Sequence, residues 1–326
     1  MRRIRYAALA AVLGLASISA AHAAIESPIH RNFNVRPGGT ITIDADVGDI
    51  KVTSGAANVS VDVIRRARTS SKSSADELFR KLDLNFAQEG NDVRIKARYD
   101  QPTSWFHWNN DLEVRFVVNV PSQYNVNLKT SGGDISVSDL NGQAKVNTSG
   151  GDVSLGHING AVDAHTSGGD VSMAGSQTNA LLSTSGGDIK VDDANGSLNV
   201  KTSGGSIDIH RVQADLKAHT SGGSIDIGDA GGTIDASTSG GSIKARLSRQ
   251  PTADSRLSTS GGGITVSVAS NMKLDIDAHT SGGDVESDVP VTILGKQEDS
   301  TLNGKLNGGG PKLILRSSGG DIRLRR

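Results

Sequence analysis

The chain has 326 residues, a formal net charge of −1, 40 glycines, no cysteine and only 3% aromatic side chains. This neutral balance offers no broad basic surplus for neutralising phosphates, so no nucleic-acid partner is expected. The missing cysteines exclude disulfides, thiolate metal sites, cysteine nucleophiles and a lipid-modified cysteine at a mature N-terminus.

Residues 1–23 have the layout of a secretory signal. Arg2, Arg3 and Arg5 form a basic start, residues 7–16 an apolar middle, and Ala21-His22-Ala23 a small-x-small cleavage pattern before Ala24. The apolar run is shorter than the roughly 20 residues of a membrane helix. The mature chain is therefore expected to be exported, without a transmembrane segment after cleavage, to the periplasm or to the cell surface and beyond.

Residues 24–125 predict an N-terminal β-rich cap with one short helix. Residues 40–46 and 58–64 alternate apolar and polar side chains with the period of a half-buried strand. Between them, Val47-Gly48-Asp49-Ile50-Lys51-Val52 resembles a degenerate copy of the unit that dominates the second part. Ser74-Ala75-Asp76-Glu77 predicts a capping box, with Leu78, Phe79 and Leu82 on one helix face. Residues 84–87, 92–99 and 112–120 predict three further strands. Between the last two stands Trp105-Phe106-His107-Trp108, which contains both tryptophans of the chain. Two readings of these four residues stand side by side. They form a binding platform that stacks on a ligand such as a sugar ring, or a plug over the open end of the repeat.

From residue 126 to 326 the chain is organised by Thr-Ser-Gly-Gly. Its Thr recurs at 130, 148, 166, 184, 202, 220 and 238, a spacing of 18, then at 259 and 280 at a spacing of 21. A fixed short period is the signature of a repeat architecture. Aligned on it, apolar columns appear, such as Ile135, Val153, Val171, Ile189, Ile207 and Ile225, with polar residues between them. No Phe, Tyr or Trp occurs after residue 124, which suits an interior one side chain deep. The expected fold is all-β: a two-sided parallel β-solenoid whose 18-residue coils hold two short strands and two turns. Antiparallel hairpins would not bring the same residue to the same column in successive copies. Ten coils stacked about 4.8 Å apart give a rod on the order of 50 Å. Gly132-Gly133 and Asn141-Gly142 mark the turns, where Gly and Asn are expected to supply positive φ. The three extra residues near Pro251 are expected to bulge outward. Arg316, Arg323, Arg325 and Arg326 are expected to guard the terminal edge against strand addition.

Asp134, Asp152, Asp170 and Asp188 form an outward column, replaced farther on by Ser206, Ser224 and Ser242. These four Asp are candidate ligands for calcium held between stacked carboxylates; otherwise each bonds turn N–H groups. The Gly-Gly-x-Gly-x-Asp spacing of calcium-binding rolls is absent. His165, His219 and His279 share another outward column, too far apart to share a metal. The repeated Thr hydroxyls either bond coil to coil or form an outward array of the kind that meets ice. No Gly-x-Ser-x-Gly elbow or His-Glu-x-x-His motif occurs, and no catalytic residue or cofactor is assigned.

Val47-Gly48-Asp49-Ile50, the serial Thr-Ser-Gly-Gly-Asp-Ile units and the closing run from Leu302 to Leu324 together resemble the bacterial putative-adhesin β-strand-repeat family, a domain of unknown function. The resemblance covers residues 33–324. It implies an exported parallel β-solenoid and transfers no catalytic residue. The resulting expectation is a non-enzymatic envelope protein, an adhesin or binding scaffold that presents a repetitive polar surface to an envelope glycan or a protein partner. A polysaccharide-active β-helix enzyme and a calcium-stabilised β-roll are the alternatives.

Overall fold

The computed structural model describes residues 24–100, 111–295 and 298–326. Apolar side chains at every second position give each short strand one buried face. Burying those faces against each other builds two long sheets around one continuous core. One sheet has 14 strands and the other 15, and antiparallel strands occur only at their ends. Between them, twelve parallel rungs run through each sheet, about 55 Å from first to last at the usual strand spacing. The apolar columns are in register: Val146 lies between Leu128 and Ala164, and Val153 between Ile135 and Val171. The described residues form an all-β two-sided solenoid with one short helix.

The stack continues across residue 125 into the cap. The first strands are β1 (Ile25–Phe33), β2 (Thr40–Ala45), β3 (Asp49–Ser54) and β4 (Val59–Ala67). Helix α1 (Lys72–Arg80) leads to β5 (Leu82–Glu89), β6 (Asp92–Tyr99) and β7 (Leu112–Val120). β2 pairs in parallel with Asn125–Lys129 and β3 with Ile135–Val137. The segment around Gly48 is thus a full coil. Beyond it, β6 and β7 supply one more. Antiparallel β5 then covers β6, while β4 and β1 cover β7. α1 starts one turn before the Ser74 box. Ser71 is its N-cap and accepts the Ser74 N–H at 3.4 Å, and Leu82 belongs to β5 rather than to the helix face. Packing sets this register, because it places Ala75 and Phe79 on Ala67 of β4 and Phe79 under the Arg65 guanidinium.

The last coil of the sequence is not the last coil of the stack. Lys312–Ser317 lies between Ser255–Thr259 and Leu274–Thr280, and Ile322–Arg325 lies between Ile264–Val268 and Val285–Ser287. The chain passes over one position, forms the outer coil, adds the antiparallel strands Val291–Ile293 and Thr301–Leu306, and returns to fill the slot. Arg316, Arg323 and Arg325 therefore do not guard a terminal edge. They pair with Asp277, Glu286, Asp321 and Asp288, mostly across to the outer coil. The N-terminal end has the same design: the first coil in sequence, β2–β3, is second in space. The insertion near Pro251 also differs from a free bulge. Pro251 is buried, and Gln250 exchanges two hydrogen bonds with the Lys273 backbone, at 2.9 and 2.8 Å.

Candidate functional site

The repeated turn forms a ridge along the stack, and its residues bind the coils to one another. Thr166 donates its hydroxyl to Gly151 O at 2.8 Å, Thr184 to Gly169 O and Thr202 to Gly187 O at the same distance. Each hydroxyl also accepts the N–H of the second Gly in its own turn, at 3.3 Å. These Thr are buried, so they form an internal ladder and not an outward array. The glycines of these turns do not have positive φ. They are required by close approach instead. A Cβ on Gly169 would lie 2.2 Å from Gly151 O and 2.6 Å from Asp152 Oδ1.

The Asp column is the outer half of the same ridge. Asp152 N–H donates to Asp134 Oδ1, Asp170 N–H to Asp152 Oδ1 and Asp188 N–H to Asp170 Oδ1, each at 2.8 Å. Ser206 N–H donates to Asp188 Oδ1 at 2.7 Å, and where Ser replaces Asp the equivalent bonds lengthen to 3.3 and 3.2 Å. One oxygen of each carboxylate is thus engaged by the backbone of the next coil, 18 residues on, and not by its own turn as in an Asx turn. The structure brings the four Asp into one file, with Oδ1 of each turned to the next coil. Among the described residues, no three His, Asp or Glu side chains converge on a position that could hold a metal ion. Beside the file runs a shallow groove of about 540 Å³, lined by Asp152, Asp170, Asp188, Asp208, Lys190 and neighbouring serines.

A second recess of about 530 Å³ lies at the N-terminal end of the ridge, among Asp46, Asp49, Tyr99, Leu112 and Glu113. Burial, and then the Asp111 carboxylate, pushes the Tyr99 hydroxyl above its ordinary pKa. Asp46 accepts the Tyr99 N–H at 3.0 Å, and Glu113 is ringed by Arg66, Arg68 and Arg115 at 3.6–3.9 Å. Trp105, Phe106, His107 and Trp108, the sequence-predicted platform, lie outside the described residues.

The opposite turn carries contacts that the sequence did not single out. Asn195 donates to Gln177 Oε1 at 2.8 Å and Gln213 to Asn195 Oδ1 at 2.6 Å, an amide ladder in place of carboxylates. The backbone N–H and then the ring of His157 hold Asp139 below the ordinary carboxylate range, and the Thr233 hydroxyl and N–H do the same for Asp215. Near the N-terminal end, Arg98 bonds Asp44 and lowers its pKa, while Asp44 raises that of Arg98. His165 and His219 share hydrogen bonds with Ser183 and Ser237 of the next rung, at 2.9 and 2.8 Å. Polar residues five, seven and nine positions after the Asp or Ser of the Gly-Gly-Asp and Gly-Gly-Ser units were visible in the sequence, but which ones pair became visible from the coil register.

Among solved structures, a "putative cell adhesion protein" from Clostridium sporogenes is 12% identical, with 92% of this chain and 99% of that chain covered and a TM-score of 0.22. A "putative adhesin" from Bacteroides fragilis is 14% identical over 91% of this chain and 97% of that chain, with a TM-score of 0.27. A "putative lipid binding protein" from Parabacteroides distasonis is also 14% identical, over 92% and 97%, with a TM-score of 0.40. No curated protein matches the chain. The Toastrack DUF4097 family model matches residues 39–229 and 214–325, and with most of its length and its whole run of Thr-Ser-Gly-Gly coils inside those matches, the chain belongs to the Toastrack DUF4097 family.

Proposed function

We propose that the protein is an exported, non-enzymatic binding scaffold of the cell envelope. One observation carries this reading. The residues that repeat most strictly, Thr, Gly and Asp of the turn, are engaged in coil-to-coil contacts. The exposed rows of both sheets differ from coil to coil, as Lys145, Asp163, Leu181 and Asn199 do along one row. Strict repetition thus serves the frame, and the variable rows remain for recognition. The signal-like residues 1–23 support export.

The test is protease digestion of the tagged protein on intact host cells and after lysis, followed by titration calorimetry against purified envelope glycans. Digestion on intact cells, or protection that ends when the outer membrane is opened, agrees with export; recovery in the cytoplasmic fraction alone defeats it. Measurable glycan binding is expected. Depolymerisation of a polysaccharide panel that a single Asp→Asn change abolishes would replace the scaffold by an enzyme.

A further inference from the structure

The two faces of the solenoid carry opposite charge. On the 15-stranded sheet, from Asn125–Lys129 to Ser255–Thr259, the strands present Lys129, Lys145, Lys201, Lys217 and Arg256 against only Asp163 and Asp235. All five bases are exposed, and Lys145 alone lies within ion-pair reach of an acid, 4.0 Å from Asp163. Along the same coils, the strands of the 14-stranded sheet present Asp192, Asp193, Asp208, Asp226 and Asp229 against four bases, and the Asp file of the ridge adds to the negative side. The overall charge of −1 conceals this division.

One row of the basic sheet is more sharply defined. In parallel register, Lys129, His165, Lys201, His219, Arg316 and His279 follow one another with Asn or Ser at the intervening rungs. Between Lys129 and His279 no carboxylate stands in this row; Asp44 of β2 occupies the next rung beyond Lys129, and Arg316 is bonded to Asp277 beside the row. Ser183 and Ser237 each hold a histidine by Nδ1, which directs Nε2 away from that bond. The row is a line of polar side chains, one per rung of about 4.8 Å, in which each His–Ser pair leaves one outward donor between its two members.

We propose that this face binds an extended anionic polysaccharide lengthwise, its carboxylate or phosphate groups meeting the Lys and His of the row. The proposal rests on the scaffold reading and names its ligand class. Three features favour a glycan over other polyanions. A line of single donors suits a linear polymer that can follow the twist of the sheet, whereas a bilayer presents a plane. The adjacent row offers only Leu181 and Ile314 as apolar groups, too little for insertion among lipids. No aromatic residue follows Tyr124, so the face has nothing on which nucleobases stack.

The test uses the full mature chain, with long oligogalacturonate as the probe and neutral dextran as its control. Titration calorimetry at two salt concentrations compares the wild type with K201Q/K217Q on the basic sheet and K190Q/K244Q on the opposite one. All four lysines are exposed, and unchanged melting curves verify folding. Binding of oligogalacturonate but not dextran is expected. K201Q/K217Q is expected to weaken it about tenfold and to lower the slope against log salt by about two, while K190Q/K244Q leaves it unchanged or tighter. Absence of oligogalacturonate binding at low salt, or equal weakening by both pairs, overturns the inference. In that event, binding of a neutral envelope glycan would leave the scaffold reading intact. Binding to phosphatidylglycerol vesicles without glycan binding overturns the inference and assigns the face to a membrane.

Discussion

Thr184 shows how one side chain of the repeat acts. Its hydroxyl donates to Gly169 O at 2.8 Å and accepts Gly187 N–H at 3.3 Å, in a site that is 5% exposed. Replacing it by Val keeps the shape and leaves two buried backbone groups without this partner, so Thr184→Val is expected to cost about 2 kcal/mol. Thr184→Ser should cost less than about 1 kcal/mol, because the hydroxyl remains. The last coil of the sequence already uses this solution: Ser317 donates to Gly262 O at 2.8 Å and accepts Gly320 N–H at 3.0 Å. Greater destabilisation by Thr184→Ser than by Thr184→Val in urea melts would show that the methyl, not the hydroxyl, is what the site requires. Sequence alone left the Thr column between an internal ladder and an outward array. Burial decided it, because the position of the turn relative to the core is not a local property.

At the scale of elements, the two ends of the stack share one device: a coil near each chain terminus is held between two others. The strand Lys312–Ser317 satisfies the backbone of Ser255–Thr259 on one side and of Leu274–Thr280 on the other, and brings Leu313 and Leu315 into the core. Removing residues 312–326 would open two facing strand edges and a hydrophobic slot. The truncated chain is expected to lose cooperative melting and to associate, as read by size-exclusion chromatography and far-ultraviolet circular dichroism. A monomer with an unchanged melting temperature would show that the inserted coil is dispensable. This arrangement was not legible in the sequence. The 21-residue interval from Thr259 to Thr280 reads as one stretched coil, yet Thr280 bonds Gly320 and Ser317 fills the place beside Gly262.

For the whole molecule, stability has an acid and an alkaline limit with different causes. Asp44, Asp139 and Asp215 have carboxyls held below their ordinary pKa by Arg98, His157 and Thr233 respectively. A lowered folded pKa contributes stability that is fully present above the unfolded value, about 3.9, and is lost as pH falls through the folded value. Melting temperature should therefore fall below about pH 4. Tyr124 acts in the opposite sense. Burial, and then the Asp92 carboxylate, pushes its hydroxyl up to about 12, and that hydroxyl donates to Asn91 O. Its contribution is present below the unfolded value, about 10, and is lost as pH rises through about 12. Tyr124→Phe should lower the melting temperature at neutral pH and flatten its decline across that alkaline window; parallel alkaline profiles for the two proteins would remove Tyr124 from this role.

The sequence by itself determined the class of fold, the period and the core columns. Identical residues at 18-residue spacing can all be buried alike only when successive coils stack in parallel register. It also determined which residues form the turns, although the reason proved to be the approach of one backbone to the next and not positive φ. Tertiary structure decided the order of the coils at both ends, the partners of the Asp and Arg side chains, and the division of charge between the two faces. Each of these depends on which strands become neighbours through long-range pairing, and the choice of neighbour follows from burying apolar edges and satisfying backbone groups over the whole stack.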